Sequence, residues 1–114
     1  MQNRKSEASE QVAVVDYCKI KHIPIFHIPN EGKRSAATGA NLKRQGLSAG
    51  VPDLCIPAPR GRFHGLFIEM KYGKNKPTAE QDEWLSLLFK NGYMVKICYS
   101  FEEAKTVIDW YFKL

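Results

Sequence analysis

Gly65-Leu66-Phe67-Ile68-Glu69-Met70-Lys71 is the stretch on which the reading of the chain turns. Its apolar run and flanking turn residues predict a β-strand. Side chains alternate along a strand, so Glu69 and Lys71 share one face and Met70 enters the opposite layer. Upstream, Val51-Pro52-Asp53-Leu54-Cys55-Ile56 predicts another strand, entered through Gly50 and Pro52. The intervening Pro57-Ala58-Pro59-Arg60-Gly61-Arg62 is a loop by composition. The two strands are therefore expected to pair as a hairpin, which would bring Asp53 beside Glu69.

On the N-terminal side, residues 7–21 predict a helix. Ser6 is its N-cap, and Glu7 and Glu10 suit the positive end of the helix dipole. Val14, Tyr17, Cys18 and Lys21 recur at helical spacing, with Val12 and Val15 widening the apolar side. Residues 23–28 predict a short strand with Pro24 near its start, ended by a turn at Pro29-Asn30-Glu31-Gly32. A short helix is expected over 35–45, capped by Ser35 or Thr38 and stopped by Gly46.

On the C-terminal side, Thr78-Ala79-Glu80-Gln81 reads as a capping box, in which the Thr hydroxyl and the Gln amide each satisfy an orphan backbone N–H. Trp84, Leu85, Leu88 and Phe89 continue that helix to Gly92. Residues 93–99 predict a strand. Ser100-Phe101-Glu102-Glu103 reads as a second capping box, opening a helix with Ala104, Val107, Ile108 and Tyr111 on one side. The order α-β-α-β-β-α-β-α predicts one α/β domain over residues 1–114, a mixed sheet of about four strands flanked by helices. The step from residue 66 to residue 99 should be a right-handed parallel crossover.

Apolar content of 44% and aromatic content of 11% argue for a globular chain and against disorder. No apolar run approaches the roughly 20 residues of a membrane span, and no apolar segment follows the first residues as a signal peptide would require. Cys18, Cys55 and Cys98 fit neither zinc spacing nor a disulfide framework, which suits a reducing, cytoplasmic location. The net charge is only +5, but it is unevenly spread. Residues 33–76 hold nine basic residues and two acids, Asp53 and Glu69. The remainder holds eight basic and ten acidic residues. A basic middle on a near-neutral frame suits a polyanion such as nucleic acid, or else a solvated basic face.

Two carboxylates on adjacent strands can hold a hard divalent cation such as Mg²⁺, which takes oxygen ligands and keeps several waters. Lys71 beside them can orient a water or help deprotonate it, while the metal lowers that water's pKa. The plainer alternative is a Glu69–Lys71 ion pair on a solvent-facing strand. His22, His27 and His64 have no metal spacing and read as surface or strand histidines. Trp84, Trp110, Tyr111 and Phe112 read as core or dimer-contact residues.

Pro52-Asp53 followed by Glu69-Met70-Lys71 resembles the signature of the PD-(D/E)xK nuclease superfamily. Glu10-Gln11, Pro29-Asn30-Glu31-Gly32, Gly46 to Leu54, Ile68 to Lys71 and Thr78 to Gln81, in that order, resemble the VRR-NUC family of virus-type replication and repair nucleases. The resemblance spans roughly residues 7–100 and implies an αβββαβ core. It implies that Asp53 and Glu69 bind the metal, Mg²⁺ or Mn²⁺, with the Met70 carbonyl as a further ligand. Glu10 would complete that site, Lys71 would serve the attacking water, and Gln81 would stand nearby. Helix-dipole and capping roles also account for Glu10 and Gln81.

The expected function is a metal-dependent DNA endonuclease. Lys33, Arg34, Lys43, Arg44, Arg60, Arg62, Lys74 and Lys76 would hold backbone phosphates. The resemblance implies cutting of branched DNA such as four-way junctions, a homodimer with two sites, and a phage-like protein at work in a host cytoplasm. The alternatives are a non-catalytic nucleic-acid-binding module, a nuclease for flaps, nicks or unbranched DNA, and a basic domain that contacts an acidic protein.

Overall fold

The computed structural model describes residues 5–29 and 35–114. Along the chain these form α1 (Glu7–Ile20), β1 (Phe26–His27), α2 (Ala36–Arg44), β2 (Leu54–Ile56), β3 (Leu66–Met70), α3 (Ala79–Lys90), β4 (Met94–Cys98) and α4 (Phe101–Tyr111). The strands make one four-stranded sheet in the order β1-β2-β3-β4. The first two pairings are antiparallel, and β4 lies parallel to β3, as a helical crossover between neighbouring strands allows. The fold is thus the expected α/β arrangement, with α2 inserted between β1 and β2 and α4 added after β4.

Alternation in β3 divides the layers. Leu66, Ile68 and Met70 are fully buried and pack with Val14 and Cys18 of α1 and Ala104, Ile108 and Tyr111 of α4. Leu66, Ile68, Met70, Val14 and Ile108 each contribute about 1.5–3 kcal/mol by leaving water. Phe67 and Glu69 face the other layer. There Phe67 meets the Tyr93 ring edge-on at 5.3 Å, and Glu69 meets Gln81 of α3.

Several elements differ from the sequence reading. The strand expected over 23–28 shortens to Phe26–His27. Pro24 has no N–H to give a ladder, and the Ile23 N–H closes the end of α1 by donating to the Cys18 carbonyl at 2.8 Å. The strand expected over 51–56 starts only at Leu54, after Pro52 and a bend at Asp53. Val12 does not widen the buried side of α1, being 58% exposed, and the inward positions are Glu10, Val14 and Cys18. On α3 only Gln81 and Leu85 are buried, and Phe89 is largely exposed. Trp110 is exposed while the adjacent Tyr111 is wholly buried, its hydroxyl donating to the Ala58 carbonyl at 2.7 Å.

The caps follow the sequence more closely. Ser6 caps α1 in a box closed by Ser9, and Thr78 and Gln81 form the expected box at α3. At α4, Ser100 accepts from the Glu103 N–H, but the Glu103 carboxylate turns back to the Tyr99 N–H instead of that of Ser100. The turn expected at Asn30–Gly32 lies outside the described residues, as do Lys33 and Arg34.

Candidate active site

The β2–β3 register pairs Leu54 with Ile68. One step further along the same register sets Asp53 opposite Glu69. The ladder stops there, and the Asp53 side chain takes its place: Oδ2 accepts the Met70 N–H at 2.8 Å. A backbone donor inside the sheet therefore fixes the carboxylate, which is 4% exposed. Glu69 is more deeply enclosed, at 1%. Its Oε2 accepts from Gln81 Nε2 at 3.1 Å and lies 3.7 Å from Lys71 Nζ.

Gln81 has a double duty that its capping box makes possible. Its Oε1 accepts the Thr78 N–H at 2.9 Å, which leaves the amide nitrogen to face Glu69. The helix cap thus orients the donor that holds the carboxylate. Gly50 brings the chain close enough for this. It has φ +91°, and a Cβ there would lie 2.5 Å from the Glu80 carbonyl carbon and 2.8 Å from the Gln81 nitrogen. Only glycine lets the segment entering β2 cross the first turn of α3 at this distance.

Lys71 follows β3, and its N–H donates to the Cys98 carbonyl at 2.9 Å, so its backbone still belongs to the ladder with β4. Its side chain is buried beside Glu69. Glu10 comes from α1, on the Met70 side of the sheet. Its Oε1 accepts the Phe101 N–H at 3.2 Å, so it serves the first turn of α4. That turn follows directly on β4, which places Glu10 at the same end of the sheet as Lys71. Hydrogen bonds and one ion pair join Asp53 to Met70 and Glu69 to Gln81 and Lys71, and tie Glu10 to α4. Among the described residues no three His, Cys, Asp or Glu side chains converge as a metal cluster.

Burial singles out the same residues. Among the described residues, the buried polar or charged side chains are Glu10, Asp53, Glu69, Lys71 and Gln81. Burying a charge is costly unless it is paired and hydrogen-bonded. No buried side-chain nitrogen or oxygen among the described residues lacks a partner. A small domain has placed its buried charges together at one end of a sheet, where ligands of α/β folds commonly sit.

The VRR-NUC domain family model matches residues 5–102. The chain belongs to the VRR-NUC family. This is a nuclease-type family. A solved VRR_NUC domain protein is similar to the chain at 31% identity, over 99% of this chain and 93% of that one, with a TM-score of 0.85. A second solved structure, a VRR_NUC domain, is 23% identical over 92% of this chain and 96% of its own, with a TM-score of 0.63, and supports the fold. No curated protein sequence matches the chain.

Among the described residues of this VRR-NUC domain the basic candidates do not form one patch. Lys74 and Lys76 are exposed in the connection after Lys71, at the carboxylate end. Lys43 and Arg44 are exposed in the last turn of α2. Arg60 and Arg62 lie in the loop between β2 and β3, at the other end of the hairpin. The Arg60 guanidinium sits 4.7 Å from the Phe112 ring centroid, and that of Arg62 sits 5.2 Å from the Phe63 ring.

One residue near the site escaped the sequence reading. His27 Nδ1 lies 2.9 Å from the Asp53 carbonyl oxygen and 3.1 Å from Gln11 Nε2. The ring therefore buttresses the Asp53 peptide from the neighbouring strand. No spacing in the sequence marks it, because the contact depends on β1 pairing beside β2. Between α1 and β1, a cavity of about 480 Å³ opens against Asp53, His27 and Gln11.

Proposed function

We propose that this domain is a divalent-metal-dependent endonuclease that hydrolyses DNA phosphodiester bonds. The observation that carries this reading is the burial of Asp53, Glu69, Lys71 and Gln81 together at the hairpin's end. The donor chemistry fits the metal. Asp53 and Glu69 offer hard carboxylate oxygens from adjacent strands, and Mg²⁺ or Mn²⁺ is commonly held by one or two carboxylates plus waters and substrate phosphate. The Met70 carbonyl and Glu10 are proposed to complete the set.

When bound, the metal would supply a water of lowered pKa and offset charge on the phosphate. The chain's own groups do the rest. The Met70 N–H holds Asp53 in one orientation. Gln81 holds Glu69 against rotation, as the outer partners of ligating carboxylates do. The Lys71 ammonium, already at the Glu69 oxygen, presents its remaining donors to the attacking water and the phosphate. Lys74, Lys76, Lys43 and Arg44, together with Lys33 and Arg34, are proposed to hold backbone phosphates.

We propose branched DNA as the substrate and a homodimer that offers one site to each of two strands. This rests on the family resemblance. No helix among the described residues is long and apolar enough to cross a membrane. Cys18, Cys55 and Cys98 are free and buried, which agrees with work in a reducing compartment.

The test is a cleavage panel of junction, flap, nicked and linear duplex DNA with Mg²⁺, with Mn²⁺ and with EDTA, alongside light scattering for the oligomer. The expected result is cutting with metal, none with EDTA, and a preference for the junction. Tight binding with no cutting under any metal would instead favour a non-catalytic binding module.

A further inference from the structure

A cavity of about 660 Å³ opens at the end of the sheet remote from the carboxylates, between the C-terminal ends of α1 and α4 and the loop that leaves β2. Its lining includes Lys21, His22, Arg60, Lys105 and Lys113 against a single acid, Asp109. Ile23, Pro24 and Phe112 give it apolar wall. Its volume falls within the range of about 300–1,000 Å³ usual for small-molecule sites, and its mix of apolar wall and few polar groups is also usual there.

Local structure explains part of this cluster. Lys105 is paired with Asp109 at 3.1 Å, and Lys105 and Lys21 both lie over the Tyr17 ring. Cations near helix C-termini also offset the dipole. That account covers Lys113, next to the C-cap of α4, but does not reach Arg60, which belongs to a loop. Nor does it explain His22. This residue has φ +58° and follows the cap of α1. Its N–H donates to the Lys19 carbonyl at 3.1 Å, and the Ile23 N–H donates to the Cys18 carbonyl at 2.8 Å. Glycine is the usual residue at such a left-handed helix stop. A histidine there is strained, and it lines the cavity. Strained non-glycine residues tend to gather where a ligand is held.

We propose that this cavity binds a nucleoside phosphate. Lys21, Arg60 and Lys113 would hold the phosphate, with the Arg60 guanidinium already 4.7 Å from the Phe112 ring centroid. The sugar and base would lie against Phe112, Ile23 and Pro24, with His22 at the rim. The ligand is either one nucleotide of a DNA strand that wraps from the carboxylate end or a free nucleotide, and both present the same phosphate and base. This site does not depend on the hydrolytic reading, because it lies at the other end of the sheet and requires no metal.

The test is an amide NMR titration in EDTA with dTMP, thymidine, inorganic phosphate and 5′-phosphorylated tetrathymidylate. The expected result is saturable shifts at His22, Ile23 and Phe112 with dTMP, with thymidine and inorganic phosphate at least tenfold weaker. The double variant K21Q/K113Q changes two exposed side chains and is expected to bind dTMP at least tenfold more weakly while melting as the parent does. A tetranucleotide tenfold tighter than dTMP assigns the site to a DNA strand, and equal affinity assigns it to a free nucleotide. The proposal is overturned by an absence of saturable shifts there up to about 10 mM, beyond the millimolar edge of useful binding. It is equally overturned if thymidine binds as well as dTMP, or if the double variant binds as the parent does. Because EDTA is present throughout, failure of metal-dependent cleavage leaves this result unaffected.

Discussion

The two ends of the β2–β3 hairpin are built in opposite ways. At one end two carboxylates, an ammonium and an amide are buried and bonded to one another. At the other end, cations from α1, the β2–β3 loop and α4 line a wide cavity, and most of them are exposed. Burial removes solvent screening and fixes geometry, which chemistry needs. Exposure keeps charges hydrated and mobile, which suits the long-range capture of a polyanion. The difference separates a part suited to cutting from a part suited to holding.

Substitutions at the carboxylate end should break the comparison most sharply. Lys71→Ala and Asp53→Asn are expected to lower cleavage by about 10²–10⁴-fold, the range for losing a positioned catalytic group. DNA binding measured in Ca²⁺ or EDTA should change far less, since the cations elsewhere remain. Single-turnover cleavage next to fluorescence anisotropy reads the two separately. A Lys71→Ala protein that cuts as fast as its parent would sink the proposed mechanism.

Gly50→Ala comes next, and it tests whether the buried end depends on one close approach. The added Cβ would meet backbone at 2.5 Å, in a conformation with φ +91°. Overpacking and left-handed strain together predict a loss of about 3 kcal/mol in urea unfolding. Gly39 is the contrast: nothing lies within 4 Å of its Cβ position, and it sits within α2. Gly39→Ala should leave stability equal or raise it by about 0.5–1 kcal/mol. Equal responses at the two glycines would show that Gly50 does not hold the site.

What was legible in the sequence follows from how each end is assembled. Asp53, Glu69 and Lys71 sit on one hairpin, so period-two alternation and one turn suffice to bring them together. The Gln81 cap was legible as a local pattern, while its place near the site was implied only by the family resemblance. Tertiary contacts were not legible. Glu10 reaches α4 across ninety-one positions, and His27 meets Asp53 only because β1 pairs beside β2. The basic stretch over 33–76 looked like one surface, yet strand direction sends Arg60 and Arg62 to one end and Lys74 and Lys76 to the other. In turn, Lys21, Arg60 and Lys113 meet at one cavity although they are distant in the chain. The length of β1 was misread because an apolar run says nothing of where its N–H groups go.

Gln81→Ala gives a smaller but more specific effect. It removes the Glu69 partner and the side chain that closes the α3 cap. Outer partners of metal ligands are worth about 10–100-fold in affinity or activity. The metal concentration for half-maximal cleavage should therefore rise by about that factor, with cleavage recovering at high Mg²⁺. If cap loss were the whole effect, stability would fall and the metal requirement would stay the same.

The smallest expected effect is at the opposite end, where Tyr17, Asp109 and Lys105 share a wall of the cavity. The Tyr17 hydroxyl donates to Asp109, which holds the Asp109 carboxyl below its usual range and pushes the Tyr17 phenol up to about 12. The folded pKa of Asp109 is lower than the unfolded one, so its part of the stability is full above the unfolded value and is lost as pH falls through the folded one. The folded pKa of Tyr17 is higher, so its part is full below the unfolded value near 10 and is lost as pH rises toward 12. Tyr17→Phe should thus cost about 1 kcal/mol between roughly pH 5 and pH 9, the size of one hydrogen bond at a partly exposed site. The gap between parent and variant should begin to close as pH falls below about 4 and again as it rises above about 10. Urea midpoints measured across pH read it directly. A gap near zero at every pH would mean that the ring's packing against Phe101, which phenylalanine keeps, supplies the stability and the hydrogen bond does not. The α1–α4 wall of the cavity would then be held by apolar contact alone.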